Sequence, residues 1–220
     1  MIRPEPRKQP SIIKWVVATI VLVTIIIGGS FTGGTFYPNV WTIKKIEAEV
    51  HKKELSQVQL LGLREPEFDY SDKATFLTAT GKCVEYLNYT TDRLSRVPTS
   101  IIIAMAGVES GWGTSRFANE GNALFGVRTW DKNTPRMKAK GNPDANWGVK
   151  KYKTKCQSVK DMIAILNRHP AYKEFRVERE QQLDHGKWNY RKLMVLMNAW
   201  STNPDYHEII LQAIVDNKLP

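Results

Sequence analysis

The sequence has few of the side chains that hold metal ions. Its 220 residues include two cysteines, Cys83 and Cys156, and four histidines that lack the close spacing of zinc ligands. We therefore expect no metal and no cofactor. Two interpretations of the cysteines stay open: two unpaired thiols, or one disulfide, which only an oxidising compartment permits.

Acidic residues are in the minority, because 32 lysines and arginines face 22 aspartates and glutamates and give a formal net charge of +10. A basic balance favours an anionic partner such as a phospholipid surface or an acidic polymer. The sequence has no internal repeat, no nucleic-acid-binding motif and no single-sign lysine stripe, so nucleic acid is not an expected partner. No feature of the sequence indicates an oligomeric state.

The run from Trp15 to Tyr37 contains no charged residue, and a membrane-spanning helix needs about 20 mostly apolar residues. Basic residues outnumber acids before this run: Arg3, Arg7, Lys8 and Lys14 against Glu5. Because positive charge stays on the cytoplasmic side, we expect residues 1–40 to be a basic tail and a single-pass anchor in the inner membrane. The rest of the chain would be extracytoplasmic. A cleaved signal peptide, with its shorter apolar core, is the alternative.

The remaining pattern predicts a helical stem or linker at residues 41–70, with a break at Arg64–Tyr70 that contains Pro66, and a mainly helical domain at residues 71–220. Strand patterns at Leu124–Arg128 and Trp147–Lys153 predict a small β-hairpin lobe with a long polar tip. The predicted helices cover Lys73–Leu94, Ile101–Val108, Ser158–His169, Pro170–Leu183 and Tyr190–Trp200, and a last helix has Asn203 as its cap and Pro204 at its first position.

Glu109 follows eight non-polar residues and comes just before Gly111, where the helix should end. Burying an ionised carboxylate is unfavourable, and a helix C-terminus disfavours negative charge. Apolar surroundings raise the pKa of a carboxyl group, so we interpret Glu109 as a general acid that protonates a glycosidic oxygen. A glutamate that reaches solvent or bonds the neighbouring backbone is the structural alternative.

Aromatic residues follow Glu109 in the sequence: Trp112, Phe125, Trp130, Trp147 and Tyr152. Sugar rings stack on flat apolar faces, so this cluster indicates a glycan-binding groove. We expect Phe125 in the core and Trp130 or Trp147 at the surface.

The segment VPTSIIIAMAGVESGWGTSRFANEGNALFGVR resembles the signature of the bacterial β-N-acetylglucosaminidase domains of glycoside hydrolase family 73, and most of all their Bax-like branch. The later segments NWGVKKY, LNRHPAYKEFRVER and NAW…NPDYHEII agree with it, so the resemblance runs from about Lys73 to Asn217. It implies a lysozyme-like helical fold and cleavage of the β-1,4 bond after N-acetylglucosamine in peptidoglycan glycan strands.

The resemblance places the catalytic acid at Glu109. It places the motif tyrosine at Tyr206, which would shape the cleft and hold the substrate N-acetyl group. The family's N-x-L-F-G turn falls on Asn122, Phe125 and Gly126 and would wall the cleft. The expected substrate-binding residues are Ser110, Trp112, Asn122, Phe125, Trp130, Trp147 and Trp200.

The chain departs from the family where related sequences can carry a second acid, because Gly148 stands there. Of the remaining acids in the lobe, Asp144 is preferred over Asp131 as a catalytic base. If neither serves, the N-acetyl group of the substrate could attack the anomeric carbon. Two other functions stay open: a muramidase or lytic transglycosylase on the same fold, and a non-catalytic, membrane-tethered wall-binding module.

Overall fold

The structure is a computed structural model that describes residues 12–36 and 40–220. Arg3, Arg7 and Lys8, from the expected cytoplasmic tail, lie outside the described residues. The chain divides into two compact units, Met1–Glu49 and Val50–Pro220. The predicted boundaries after residues 40 and 70 stay predictions.

The first unit contains α1 (Ile12–Phe36) and the beginning of α2 (Val40–Leu60). Within α1, the segment Lys14–Phe31 is long and apolar enough to cross a membrane. A signal sequence near the N-terminus satisfies the same criterion. The membrane anchor and the cleaved signal therefore both stay compatible with α1.

The second unit begins inside α2, and the last turns of this helix belong to it. Val58 is buried, and Glu54 accepts a hydrogen bond from Nη2 of Arg96 at 2.9 Å. This part of the segment predicted as a stem or accessory helix therefore contacts the helical domain at Glu54.

The helical domain surrounds one buried helix, α4 (Thr99–Ser110), whose residues from Ser100 to Gly107 are all buried. This explains its uninterrupted apolar sequence, and α3 and α9 pack against it. The other helices are α3 (Lys73–Thr90), α5 (Arg116–Gly121), α6 (Lys155–Arg168), α7 (Lys173–His185), α8 (Tyr190–Val195) and α9 (Tyr206–Asp216), with 3₁₀ turns at Arg93–Ser95, Pro170–Tyr172 and Asn198–Trp200.

A disulfide between Cys83 and Cys156 joins α3 to the first turn of α6 across 73 positions of sequence. Both cysteines are buried in the core. Of the two interpretations of the thiols, the structure therefore supports the disulfide.

The β lobe is a three-stranded antiparallel sheet of β1 (Arg128–Thr129), β2 (Arg136–Met137) and β3 (Gly148–Lys150), in the order β1-β3-β2. The mainly α fold class with a small β lobe is confirmed. The two predicted strand segments overlap β1 and β3, which pair with each other, and the polar tip contributes the additional strand β2, which was not predicted. A Cβ atom at Gly148 would lie 2.9 Å from the carbonyl oxygen of Met137, so glycine permits the close approach of β2.

The last helix begins two residues later than predicted, at Tyr206, with Asp205 in the capping position. The side chain of Asn203 accepts from the backbone N–H of Asp205 at 3.0 Å. Asparagine forms such local turns readily, and here the turn replaces the predicted cap. The segment Tyr190–Trp200, predicted as one helix, forms α8 up to Val195 and a separate 3₁₀ turn at Asn198–Trp200.

Candidate active site

Glu109 lies one residue before the end of α4, where the chain turns sharply. Gly111, Trp112 and Gly113 all have left-handed backbone conformations, with φ of 59°, 55° and 85°. A Cβ atom at Gly113 would lie 2.5 Å from the ring of Tyr70, so the close packing requires glycine. These residues end the helix at a fixed point directly after Glu109.

Ser110 stabilises this turn. Its side chain is buried, donates to the carbonyl oxygen of Ala106 at 2.5 Å and accepts from the backbone N–H of Gly113 at 2.8 Å. The structure therefore gives Ser110 a structural position beside Glu109, rather than the predicted position on the wall of the cleft.

Glu109 opens into a cleft of about 550 Å³ between the helices and the β lobe. Three expected substrate-binding residues, Phe125, Trp130 and Trp200, line it together with Glu109. The remaining lining residues are Gly126, Val127, Arg128, Ile165, His169, Tyr172, Ala199, Ser201 and Thr202.

One oxygen of Glu109 is held by two donors. Oε1 accepts from the hydroxyl of Tyr206 at 2.8 Å and from the indole Nε1 of Trp200 at 3.1 Å. Within the described part of the chain, Oε2 has no hydrogen-bond partner and is not sealed from solvent. Because an indole N–H can only donate, the proton of a neutral Glu109 is best placed on Oε2.

Burial raises the pKa of Glu109 above its ordinary value, while the hydrogen bonds from Tyr206 and Trp200 oppose the shift by stabilising the carboxylate. Burial is the larger cause, so the carboxyl group keeps its proton to a higher pH than a free glutamate. Tyr206 is buried, and burial together with the nearby Glu109 raises the pKa of its hydroxyl. The hydroxyl therefore stays a donor.

The aromatic residues of the cleft form a packed base and an exposed edge. Phe125 is only 3% exposed and meets Trp200 edge-on, with 6.3 Å between the ring centroids. Tyr172 tilts against Trp200 at 6.4 Å. Trp130 is 59% exposed, so its ring is available to a ligand.

Arg128 and Trp147 form the wall on the side of the β lobe. The guanidinium of Arg128 lies over the ring of Trp147, 4.2 Å from its centroid. Arg128 lines the cleft, and Trp147 contacts Arg128 without lining the cleft itself. Trp147 was predicted to contact substrate, and the structure places it under a residue that lines the cleft.

Two other expected substrate-binding residues lie outside the Glu109 cleft. The left-handed backbone of Trp112 turns its ring back over Gly107, and Trp112 lines a different depression with Lys73. Asn122 donates to the carbonyl oxygens of Tyr152 and Lys153 at 3.1 and 3.0 Å. It therefore ties the end of α5 to the segment that follows β3.

The structure brings neither candidate for the second acid into the cleft. Asp144 is exposed in the loop before β3. Asp131 accepts from the backbone N–H of Asn133 and from Thr134, which lowers its pKa. Among the described residues that line the cleft, Glu109 is the only acid.

Eight of the residues that line the cleft were not predicted as site residues, among them Arg128, His169 and Tyr172. His169 and Tyr172 lie within LNRHPAYKEFRVER, one of the segments that carry the family resemblance, so that segment was the available signal. In residues 12–36 and 40–220, no three histidine, cysteine, aspartate or glutamate side chains are grouped so that they could hold a metal ion.

Comparisons with known proteins show which family and fold this chain resembles. A family model for glucosaminidase, described as mannosyl-glycoprotein endo-beta-N-acetylglucosaminidase, matches residues 89–219. Protein bax of Escherichia coli (strain K12) is 36% identical over 90 residues, which cover 41% of this chain and 31% of that protein. The match thus spans about a third of that relative.

A solved structure shares the fold. The catalytic domain of the autolysin Auto from Listeria monocytogenes superposes with a TM-score of 0.51 at 18% identity, covering 76% of this chain and 94% of that domain. At this identity the likeness is one of fold alone. Because the family model covers more than half of the chain, the protein belongs to the glucosaminidase family.

Proposed function

We propose that the protein is an endo-β-N-acetylglucosaminidase that hydrolyses the β-1,4 bond after N-acetylglucosamine in peptidoglycan, with Glu109 as its general acid. The observation that carries the proposal is the environment of the Glu109 carboxyl group, that is, its burial and its hydrogen bonds. Burial raises its pKa, two donors hold Oε1, and Oε2 is left to deliver a proton. The exposed ring of Trp130 in the same cleft offers a surface on which a sugar can stack.

In the first step, Glu109 protonates the glycosidic oxygen while the bond from this oxygen to the anomeric carbon breaks. Since no second acid lines the described cleft, we infer that the carbonyl oxygen of the substrate's own N-acetyl group attacks the anomeric carbon and forms a cyclic oxazolinium ion. Water then attacks the same carbon, gives its proton to the Glu109 carboxylate and reopens the ring. Tyr206 and Trp200 stabilise the carboxylate between the two steps.

A zymogram with the full-length chain tests the assignment of Glu109. Glu109→Gln keeps the size of the side chain but cannot deliver a proton, so wall-cutting activity should fall at least 10²–10⁴-fold, the typical contribution of general acid catalysis. Glu120→Gln is a matched control, because Glu120 is exposed on α5 and, among the described residues, forms its ion pair with Arg116 alone. A folded Glu109→Gln variant with near-full activity would overturn the assignment, and a wild type without any activity would support a binding module.

Product analysis tests the bond. Mass spectrometry of the released fragments should show N-acetylglucosamine at the reducing end. N-acetylmuramic acid there would indicate a muramidase, and a 1,6-anhydro sugar a lytic transglycosylase. Two displacements at the same carbon retain its configuration, so nuclear magnetic resonance should first show the β anomer. An initial α anomer would rule out participation of the N-acetyl group.

We also propose that α1 anchors the protein in the cytoplasmic membrane with the catalytic domain outside. The disulfide between Cys83 and Cys156 supports export, because disulfides persist in oxidising compartments. A reporter that works only outside the cytoplasm should be active when fused after Pro220. A reporter active only in the cytoplasm would contradict this orientation, and a mature N-terminus near Ser30 would show a cleaved signal instead of an anchor.

A further inference from the structure

Arg128 has the features of a side chain that is positioned to bind an anion. It lines the same cleft as Glu109, and its side chain is exposed. Its guanidinium lies over the ring of Trp147, with its central carbon 4.2 Å from the ring centroid, and this cation–π contact favours that position. Among the described residues, no carboxylate or carbonyl oxygen accepts from this guanidinium.

The arrangement is built into the sheet. Arg128 of β1 pairs with Val149 of β3, so Trp147, two residues before Val149, lies diagonally across the ladder. Diagonal neighbours on adjacent strands are within reach of long and aromatic side chains. Thr129, the next residue of β1, is buried, so the alternation of the strand turns Arg128 outward.

Arg128 does not serve the proposed acid directly. The pKa of Glu109 responds to burial, Tyr206 and Trp200, and no cation contributes to its shift. A guanidinium close to the carboxylate would lower that pKa and oppose proton donation. Among the described residues that line the cleft, Arg128 is the only lysine or arginine and Glu109 is the only acid.

We propose that Arg128, supported by Trp147, forms a subsite that binds a carboxylate on the glycan strand. A planar guanidinium matches a carboxylate with two parallel hydrogen bonds. This inference rests on the proposed function, and it adds that the cleft selects a strand that carries acidic groups over a neutral amino-sugar polymer. The carboxylate can belong to the sugar's own lactyl ether or to a peptide attached to the sugar.

The test compares three forms of one glycan strand: strands with their peptides, peptide-free strands with free lactyl carboxylates, and the same peptide-free strands after conversion of every carboxylate to its methylamide. The full-length wild type should lose about tenfold in kcat/KM on the methylamide form, as expected for an exposed charge-assisted hydrogen-bonded pair. Arg128→Gln should cleave both peptide-free forms at this same reduced rate. The loss should be in KM, with kcat little changed, because Arg128 does not touch the reacting atoms.

Two further variants sharpen the result. Arg128→Lys keeps the charge without the planar fork and should recover only part of the preference for the carboxylate. Lys132→Gln removes an exposed positive charge from the same lobe, outside the lining of the cleft, and should keep the full preference. If the wild type prefers the peptide-bearing strands and Arg128→Gln loses this preference, the carboxylate belongs to the peptide. If the wild type prefers the peptide-free strands with free carboxylates and Arg128→Gln loses that preference, the carboxylate belongs to the sugar.

Binding to the same strands is measured as well, in the Glu109→Gln background. The dissociation constant of the carboxylate form should rise about tenfold when Arg128→Gln is added. The subsite would be overturned if the peptide-bearing strands and the free-carboxylate strands both bind equally well with and without Arg128, or if Arg128→Gln keeps the wild-type preference among the strands. If no strand is hydrolysed by the wild type but binding still depends on Arg128, the proposed enzymatic function fails and the subsite stands.

Discussion

The hydroxyl of Tyr206 donates to Oε1 of Glu109 over 2.8 Å, although the two residues are 97 positions apart in the sequence. The bond joins the first residue of α9 to the last turn of α4. It stabilises the ionised form of Glu109 and thereby limits the rise in pKa that burial causes. It also occupies Oε1, so Oε2 is the carboxyl oxygen that has no hydrogen-bond partner among the described residues.

Replacing Tyr206 with phenylalanine should therefore change the pH dependence of activity. Tyr206→Phe removes a bond that lowers the pKa of Glu109, so this pKa should rise further. Because the acid must be protonated, the alkaline limb of the kcat/KM profile should move to higher pH. The rate at the optimum should fall about tenfold, since the carboxyl group loses one of its two positioning contacts.

Tyr152→Phe is the control for this profile. Tyr152→Phe removes a half-buried hydroxyl that donates to Asp161 at 2.7 Å, outside the cleft. The alkaline limb of the kcat/KM profile of Tyr152→Phe should stay at the pH of the wild type. An alkaline limb that moves to lower pH in Tyr206→Phe would contradict the role of this hydrogen bond.

Glu109 should also make folding depend on pH. Its pKa is higher in the folded than in the unfolded chain, so the folded state binds more protons and its stability falls as pH rises. Below the ordinary carboxyl pKa both states are protonated and Glu109 has no such effect. The loss grows as the pH rises from the ordinary pKa to the raised one, and it is complete above the raised pKa.

Chemical denaturation of the wild type and Glu109→Gln across this range measures the effect. The quantity to follow is the free energy of unfolding of the variant minus that of the wild type. This difference should increase from its low-pH value as the pH rises and then become constant. Glu120→Gln, which changes an exposed acid, should show no such growth. A difference that shrinks as pH rises would mean that the folded protein favours the carboxylate.

The position of Glu109 could be predicted from the sequence because its signals are local. An apolar run predicts a buried helix, and Gly111 and Gly113 end it at a defined residue. The fold class followed from similar local patterns. The small strand β2 (Arg136–Met137) could not be predicted, because its two residues form a strand only through pairing with β3.

The lining of the cleft was harder to predict because it depends on packing between distant segments. Trp112 is close to Glu109 in sequence, but its left-handed backbone directs the ring to Gly107. Trp200 is 91 positions away and contacts Glu109 directly. Arg128 becomes part of the site through the register of β1 with β3.

The disulfide should contribute strongly to stability. It links residues 73 positions apart, and closing a loop of that length stabilises the folded state by about 4–5 kcal/mol in the entropic description. The double variant Cys83→Ser, Cys156→Ser should lose roughly this amount in urea denaturation. Its specific activity below the unfolding transition should be unchanged, because neither cysteine lines the cleft. The wild type should lose stability in reductant while the variant does not, and alkylation of both thiols in unreduced wild type would contradict the bond.

Gly148 should tolerate no side chain, which explains why no acid stands there. A Cβ atom would lie 2.9 Å from the carbonyl oxygen of Met137 and 3.1 Å from two side-chain carbons of Arg136. Because the nearest atom is backbone, β2 would have to move, and Gly148→Ala should lower the free energy of unfolding by about 1–3 kcal/mol. Gly141→Ala is the control, since no atom lies within 4 Å of a Cβ there, and its effect should stay within about 0.5 kcal/mol.

The same position tests whether the enzyme works without a second acid. Gly148→Glu restores the residue type that related sequences can carry, but the shift of β2 that it requires also moves the lobe that holds Arg128 and Trp147. We expect Gly148→Glu to lose both stability and activity, measured by denaturation and by release of reducing ends at the same pH. If the substrate's N-acetyl group supplies the nucleophile, an added carboxylate has no step to perform. A folded Gly148→Glu variant that cuts wall faster than the wild type would show that a base was missing and that the reaction does not depend on the N-acetyl group.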